Sequence, residues 1–141
     1  MKRKSTVIWK GSGKEGSGTI SSQSKILDKV PYSWKARFED GKGTNPEELI
    51  AAAHAGCFTM KLSFLLGDAG FTPDAIETTA EVTLENDAIN ASHLSVNASV
   101  PGIDQNKFEE LARKAKENCI VSRALNASIT MEAKLKDKIM A

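Results

Sequence analysis

The length, composition and charge of this chain are those of an ordinary globular protein. Its 141 residues are enough to bury one core, and we predict a single domain over residues 1–141. The formal net charge is +1, so no basic excess argues for nucleic acid or an anionic membrane, since either partner requires a concentrated positive charge. His54 and Lys61 interrupt the longest apolar run before about 20 residues, so we expect no membrane span. Val7–Trp9 is too short for a secretory signal, and we expect a cytoplasmic protein.

The N-terminal part is predicted to form a β-hairpin. Thr6–Trp9 and Thr19–Ser22 are β-type runs, and a glycine-rich stretch over residues 11–18 connects them. This stretch matches the dinucleotide-binding pattern G-x-G-x-x-G, but that pattern needs a helix after it, whereas a β-type run follows here. We therefore interpret the stretch as a hairpin loop.

A long helix follows the hairpin. Asn45 is predicted to cap it, Pro46 to be its first residue, and Glu48 to complete a capping box. Gly67 or Gly70 is expected to end it, since glycine favours the left-handed position after a helix. The middle of the helix is nearly uncharged, which predicts burial over most of its circumference. A second copy of the chain is the simplest way to provide that burial.

Hydrophobic periodicity predicts the remaining elements. Alternation over residues 76–84 and again over residues 94–100 indicates two strands of an antiparallel hairpin. Asp104 is expected to cap a second helix, whose core-facing stripe reaches Cys119. Residues 127–135 alternate again and predict a last strand. Helices and strands in this order indicate an α+β protein.

Cys57 and Cys119 are the candidates for chemistry. Both lie on apolar stripes, where a thiol is commonly no more than a small buried side chain. A nucleophilic thiol must be ionised, and because burial raises its pKa, a reactive Cys57 needs a positive neighbour. His54 shares its helix face. Arg37 is the other candidate, because a guanidinium always keeps its positive charge. The Glu47 carboxylate can hold that guanidinium in place by accepting hydrogen bonds from it.

Helix geometry limits how these residues can meet. Glu47 and Cys57 lie roughly 15 Å apart along one helix, so a shared site requires two copies of the helix to cross in antiparallel fashion. If the fold also brings Cys119 to Cys57, the pair supports a redox cycle. The Cys57 thiolate attacks an O–O bond and becomes a sulfenic acid, Cys119 converts it to a disulfide, and an external dithiol reduces the disulfide.

Three other functions stay open on these residues alone. Cys57 with His54 as base suits acyl transfer, although no oxyanion-hole signature accompanies the pair. Cys57, Cys119, His54 and His93 are the residue types of a metal site, although their spacing does not favour one. The third is a non-enzymatic binding or structural dimer whose cysteines only fill space.

A family resemblance covers nearly the whole chain. The segments that carry it are Arg37–Glu39, Gly43–Phe58, Gly67–Pro73, Val100–Asp104 and Lys114–Cys119. In these segments the chain resembles the osmotically inducible protein C and organic hydroperoxide resistance family (OsmC/Ohr), and more closely its OsmC branch. It departs from the family pattern at Gly56, where alanine is common, and at Ile120, where the OsmC branch often has proline. The second departure is expected to loosen the segment after Cys119.

The resemblance implies both a fold and an activity. The fold would be OsmC-like, with antiparallel sheets packed around a long buried central helix in an intertwined homodimer with two active sites. The activity would be thiol-dependent reduction of organic hydroperoxides, and less efficiently of hydrogen peroxide. Cys57 would be the peroxidatic thiol, Cys119 the resolving thiol, and Arg37 with Glu47 the pair that holds the thiolate. A dithiol such as a lipoyl group would supply electrons, and no cofactor or metal is expected.

Overall fold

The computed structural model describes residues 1–38 and 43–137, and the chain divides into two compact units, Met1–Leu49 and Ile50–Ala141. Each unit has its own three-stranded sheet, and a long helix begins in the first unit and continues into the second. The predicted α+β class is therefore confirmed. Glu39, at the end of the first segment of the family resemblance, lies outside the described residues.

The first unit contains the predicted hairpin. Its elements are β1 (Ser5–Lys10), β2 (Ser17–Ser22), β3 (Val30–Tyr32) and α1 (Trp34–Phe38). The strands are antiparallel in the order β1-β2-β3. The Gly16 amide closes the loop onto the Ser12 carbonyl at 2.8 Å, so the glycine-rich stretch is a hairpin connection, as interpreted. The strand β3 and the helix α1 were not predicted.

The long helix α2 (Pro46–Asp68) begins at the predicted cap. The Glu48 amide donates to Asn45 Oδ1 at 2.8 Å, which satisfies one of the unpaired amides of the first turn. The Glu48 carboxylate does not close the expected capping box; it accepts from the Thr44 hydroxyl at 2.7 Å. At the other end Gly70 has φ +92°, so the second of the two predicted glycines takes the left-handed position.

Burial of α2 is confined to one stripe within the chain. The buried residues are His54, Phe58, Leu62 and Leu66, whereas Met60 and Phe64 are 64% and 68% exposed. The expected burial over most of the circumference is thus not reached in one chain. By length and composition alone the helix could also cross a membrane, with a mean hydropathy of 1.5 over 18 residues, so the expected absence of a membrane span stays a prediction. The core helix of a soluble protein meets the same criterion, which makes this weak evidence for a membrane.

The second unit holds a mixed sheet. Its elements are β4 (Ala75–Glu85), β5 (Ala88–Ser99), α3 (Gln105–Asn118), α4 (Ile120–Ala124) and β6 (Ser128–Leu135). The strands β4 and β5 form the predicted antiparallel hairpin, turning at Asn86 and Asp87, which both have positive φ. The strand β6 runs parallel to β5, since the chain crosses back through α3 and α4, so this sheet is not purely antiparallel as expected.

The core of the second unit lies between α2, β5 and α3. Its fully buried side chains come from the α2 stripe, from Leu94, Val96 and Ala98 of β5, and from Phe108, Ala112 and Ala115 of α3. The helix α3 begins at the predicted cap, where Asp104 Oδ1 accepts the Lys107 amide at 2.7 Å. Its core-facing stripe ends at Cys119, which is 1% exposed and is the residue at which α3 passes into α4.

Candidate active site

The structure brings the two cysteines together. Cys57 lies half-buried on α2, Cys119 is buried at the junction of α3 and α4, and both are free thiols. The Cys119 thiol lies close enough to the Cys57 thiol to act on its pKa. The contact joins residues that are far apart in the sequence, so it depends on the packing of α3 against the same core as α2.

The surroundings of Cys57 act on its ionisation in both directions. Burial raises the pKa of the Cys57 thiol, and the neighbouring Cys119 thiol raises it further. The backbone amides of Val121 and Ile120 lower this pKa by donating to the sulfur. These amides open α4 and belong to the first-turn N–H groups that have no partner within a helix. Among residues 50–137, no cationic side chain contributes to the pKa of Cys57, so backbone dipoles are the source of positive potential in this unit.

His54 does not interact with the thiol. Its side chain is fully buried, with Nδ1 2.7 Å from the Ser92 hydroxyl on β5 and Nε2 2.7 Å from the Ser122 hydroxyl on α4. Burial lowers the pKa of His54, so the imidazole is neutral at physiological pH. Because both ring nitrogens are occupied by serine hydroxyls, His54 is neither a positive neighbour nor a base for Cys57.

The metal site considered from the sequence does not form within residues 1–38 and 43–137. No three His, Cys, Asp or Glu side chains converge there in a way that could hold a metal ion. Both ring nitrogens of His54 are hydrogen-bonded to serine hydroxyls. His93, by contrast, lies on the partly exposed face of the sheet, where Nδ1 is 2.6 Å from the Thr130 hydroxyl.

Arg37 and Glu47 form the predicted pair in the first unit. The Arg37 Nε is 3.0 Å from Glu47 Oε1 and 3.1 Å from Oε2, and the two side chains are 35% and 14% exposed. The side-chain Nδ2 of Asn45 donates to the Ala36 carbonyl at 3.2 Å, which fixes the end of α1 to the start of α2. The pairing itself is therefore confirmed, and the role of the pair toward a thiolate stays a prediction.

Sequence reasoning missed the two serines that hold His54 and the backbone donors that face Cys57. Ser92 shares the parity of the buried Leu94, so a polar residue in an apolar stripe was a usable signal. Ser122 had no such signal, because α4 is a single turn without periodicity. The amides of Ile120 and Val121 are backbone groups, which no residue pattern reveals.

Two free thiols in contact, one of them facing helix amides, have the geometry of a dithiol redox centre. The OsmC-like protein family matches residues 39–134, and the chain belongs to this family. The chain is 49% identical over 138 residues to Peroxiredoxin OsmC of Escherichia coli (strain K12), covering 95% of this chain and 96% of that protein. This similarity confirms the expected OsmC branch.

Solved structures agree with the fold. The organic hydroperoxide resistance protein OhrB of Bacillus subtilis is 28% identical, with a TM-score of 0.70 and coverage of 94% of this chain and 98% of that one. An OsmC-like protein of unknown function from Vibrio cholerae is 15% identical, with a TM-score of 0.76 and coverage of 94% and 99%, and it supports the fold alone. Membership of this family indicates a soluble protein.

Proposed function

We propose that the chain is a thiol-dependent peroxidase that reduces organic hydroperoxides. The observation that carries this proposal is the contact of the Cys57 thiol with both the Cys119 thiol and the amides that open α4. The names of its relatives, Peroxiredoxin OsmC and organic hydroperoxide resistance protein OhrB, support the same activity. A half-buried thiol that lies beside a second thiol and two backbone donors is arranged for oxidation and capture, whereas a thiol that only fills space needs no such donors.

In the first step the Cys57 thiolate attacks one peroxide oxygen. An S–O bond forms, the O–O bond breaks, and the alkoxide leaves as an alcohol after taking a proton, so the sulfur is oxidised and the peroxide is reduced. The amides of Ile120 and Val121 favour the thiolate that starts this step. The product at Cys57 is a sulfenic acid.

In the second step the Cys119 thiol attacks the Cys57 sulfenic acid. The S–S bond forms as the S–O bond breaks, and hydroxide leaves as water with the proton of Cys119. An external dithiol, such as a lipoyl group, then reduces the disulfide by exchange and is itself oxidised to a disulfide. Hydrogen peroxide would follow the same route, with water in place of the alcohol, at a lower rate.

The Arg37–Glu47 pair is proposed to hold the thiolate across a homodimer interface. The helix separation of roughly 15 Å between Glu47 and Cys57 prevents them from meeting within one helix. An antiparallel crossing of two α2 helices would bring the pair of one chain to the thiol of the other. The exposed Met60 and Phe64 on α2 support such a crossing. In this proposal residues 1–141 act as one domain, in the cytoplasm.

Peroxide consumption with mass spectrometry tests the proposal. The wild-type chain should consume cumene hydroperoxide with dithiothreitol as reductant and should accumulate a Cys57–Cys119 disulfide when the reductant is withheld. Cys57→Ser should consume none. Cys119→Ser should reduce one equivalent and then become overoxidised at Cys57, because nothing captures the sulfenic acid. Normal turnover by Cys57→Ser would refute the proposal.

A further inference from the structure

The buried imidazole of His54 joins three elements of the second unit. It lies on α2, and its two nitrogens reach Ser92 on β5 and Ser122 on α4, each at 2.7 Å. His54 and Cys57 are three residues apart on α2 and therefore lie on neighbouring positions of one helix face. The helix α2 thus holds α4 at two adjacent points: the His54 imidazole binds Ser122, and the Cys57 sulfur accepts from Ile120 and Val121.

The helix α4 has few other attachments. Its backbone bonds in the described chain are local, from Arg123 to Cys119 at 3.0 Å and from Leu125 to Val121 at 3.1 Å. The Ile120 side chain is 72% exposed and anchors nothing, whereas Val121 packs partly against the core. Within residues 50–137, one side-chain hydrogen bond links α4 to another element besides the contacts of the Cys57 sulfur. It is the bond between His54 and Ser122.

Only one of the two attachment points survives the first chemical step unchanged. A thiolate accepts strongly from backbone amides, but a neutral sulfenic acid is a weaker acceptor, so oxidation of Cys57 weakens its hold on α4. The bond from His54 to Ser122 involves no sulfur and is independent of the redox state. It persists in the state in which Cys119 must attack.

We propose that His54 is a positioning residue for the resolving step: through Ser122 it keeps α4, and with it Cys119, against Cys57 while Cys57 is a sulfenic acid. The inference rests on the proposed peroxidase function. It assigns His54 a task that requires the hydrogen bond from the ring to Ser122 and no proton transfer. Without the bond between His54 and Ser122, Cys119 would spend less time within reach of the Cys57 sulfenic acid. A second peroxide molecule would then more often oxidise Cys57 to the sulfinic acid.

Deletion of single hydroxyls provides the test. Reduced wild type, Ser122→Ala, Ser122→Thr and Ser92→Ala are treated with excess cumene hydroperoxide, quenched at intervals and analysed by mass spectrometry for the Cys57–Cys119 disulfide and the Cys57 sulfinic acid. Ser122 is half-buried, so its replacement is mild. Ser92→Ala is the matched control, because it removes an equally short bond from the same imidazole on the side of β5.

We expect Ser122→Ala to close the disulfide about fivefold more slowly than wild type, the factor for one neutral hydrogen bond, and to form correspondingly more sulfinic acid. Ser122→Thr keeps the hydroxyl and should close at nearly the wild-type rate, and Ser92→Ala should do the same. The inference is overturned if Ser122→Ala closes as fast as wild type. It is equally overturned if Ser92→Ala slows closure as much as Ser122→Ala, since that would indicate a general loss of stability.

A second oxidant separates this inference from the proposed function. Diamide converts neighbouring thiols to a disulfide without any peroxidase step, so slower closure by diamide in Ser122→Ala than in Ser92→Ala supports the positioning of α4. If wild type consumes no hydroperoxide while this difference is observed, the peroxidase proposal fails and the positioning role stands. If wild type turns over and neither oxidant separates the two variants, the positioning role alone fails.

Discussion

Removing the ring of Phe64 is expected to dissociate the proposed dimer and leave the chain folded. Phe64 is 68% exposed on α2, whereas Phe58 on the same helix is fully buried in the core. A phenylalanine buries roughly 200 Å², so covering the exposed part with a partner chain removes about 140 Å² from water. At about 25 cal/mol per Å² this contributes about 3 kcal/mol in each copy.

Part of that free energy is offset when side chains become ordered at an interface. We therefore expect Phe64→Ala to raise the dimer dissociation constant by at least about a hundredfold, equivalent to about 2.8 kcal/mol over both copies. Sedimentation velocity over a concentration series measures this shift. Peroxide consumption per chain should fall over the same concentrations, because in the proposed dimer each site needs the Arg37–Glu47 pair of its partner.

Two comparisons make the test specific to this face of α2. Ile26→Ala truncates a side chain that is 85% exposed outside α2 and should leave the dissociation constant unchanged. Phe58→Ala should instead lower the free energy of unfolding by about 3–5 kcal/mol, as expected for a core cavity. A wild-type chain that is monomeric at every concentration yet fully active would refute the crossing of α2 helices. So would a Phe64→Ala dissociation constant equal to that of wild type.

Three further predictions address the pair, the buried imidazole and the helix cap. Arg37→Lys should lower kcat/KM by roughly tenfold or more, because one charge-assisted hydrogen bond contributes about 1.5–3 kcal/mol. Lys35→Gln, which breaks only an exposed 3.8 Å ion pair with Glu15, should change it less than about twofold, and equal losses would remove Arg37 from the site. Because burial lowers the pKa of His54, the unfolded state binds more protons below about 6.5, so the free energy of unfolding should fall as the pH drops through that window; a flat urea-denaturation profile would contradict this. Asn45→Ala should cost about 1 kcal/mol of stability and Asn45→Asp less, since aspartate keeps the oxygen that accepts the Glu48 amide; identical losses would show that the cap contributes nothing.

The elements that were predictable are those whose burial repeats along the chain. The helix α3 buries residues at spacings of three and four, and β5 buries every second residue, because one face of each packs on the core. The start of α2 at Asn45 was predictable because a helix cap depends only on neighbouring residues: the Asn45 side chain accepts the amide of Glu48, three residues later. The parallel pairing of β6 was not predictable, since it depends on where the crossover through α3 and α4 places the strand.

The parts of the site that could not be predicted arise from short elements and backbone groups. Sequence reasoning sought a cation for Cys57 and considered His54, which burial instead keeps neutral. In the second unit the donors are amides that exist only because the chain turns into α4 directly after Cys119. A one-turn helix has no hydrophobic repeat, so neither its start nor its donors leave a pattern in the sequence.

Burial separates the roles of the two thiols independently of the family. A hydroperoxide must reach the sulfur that it oxidises, and Cys119, at 1% exposure, is shielded from solvent, whereas Cys57 is half-buried. The amides of Ile120 and Val121 favour the thiolate of Cys57, so ionisation and access select the same sulfur. The Cys119 thiol then lies in contact with the oxidised sulfur and needs no access of its own. The proposed order of oxidation and capture is therefore the one that burial favours, because the core covers the Cys119 sulfur completely and leaves the Cys57 sulfur at its edge.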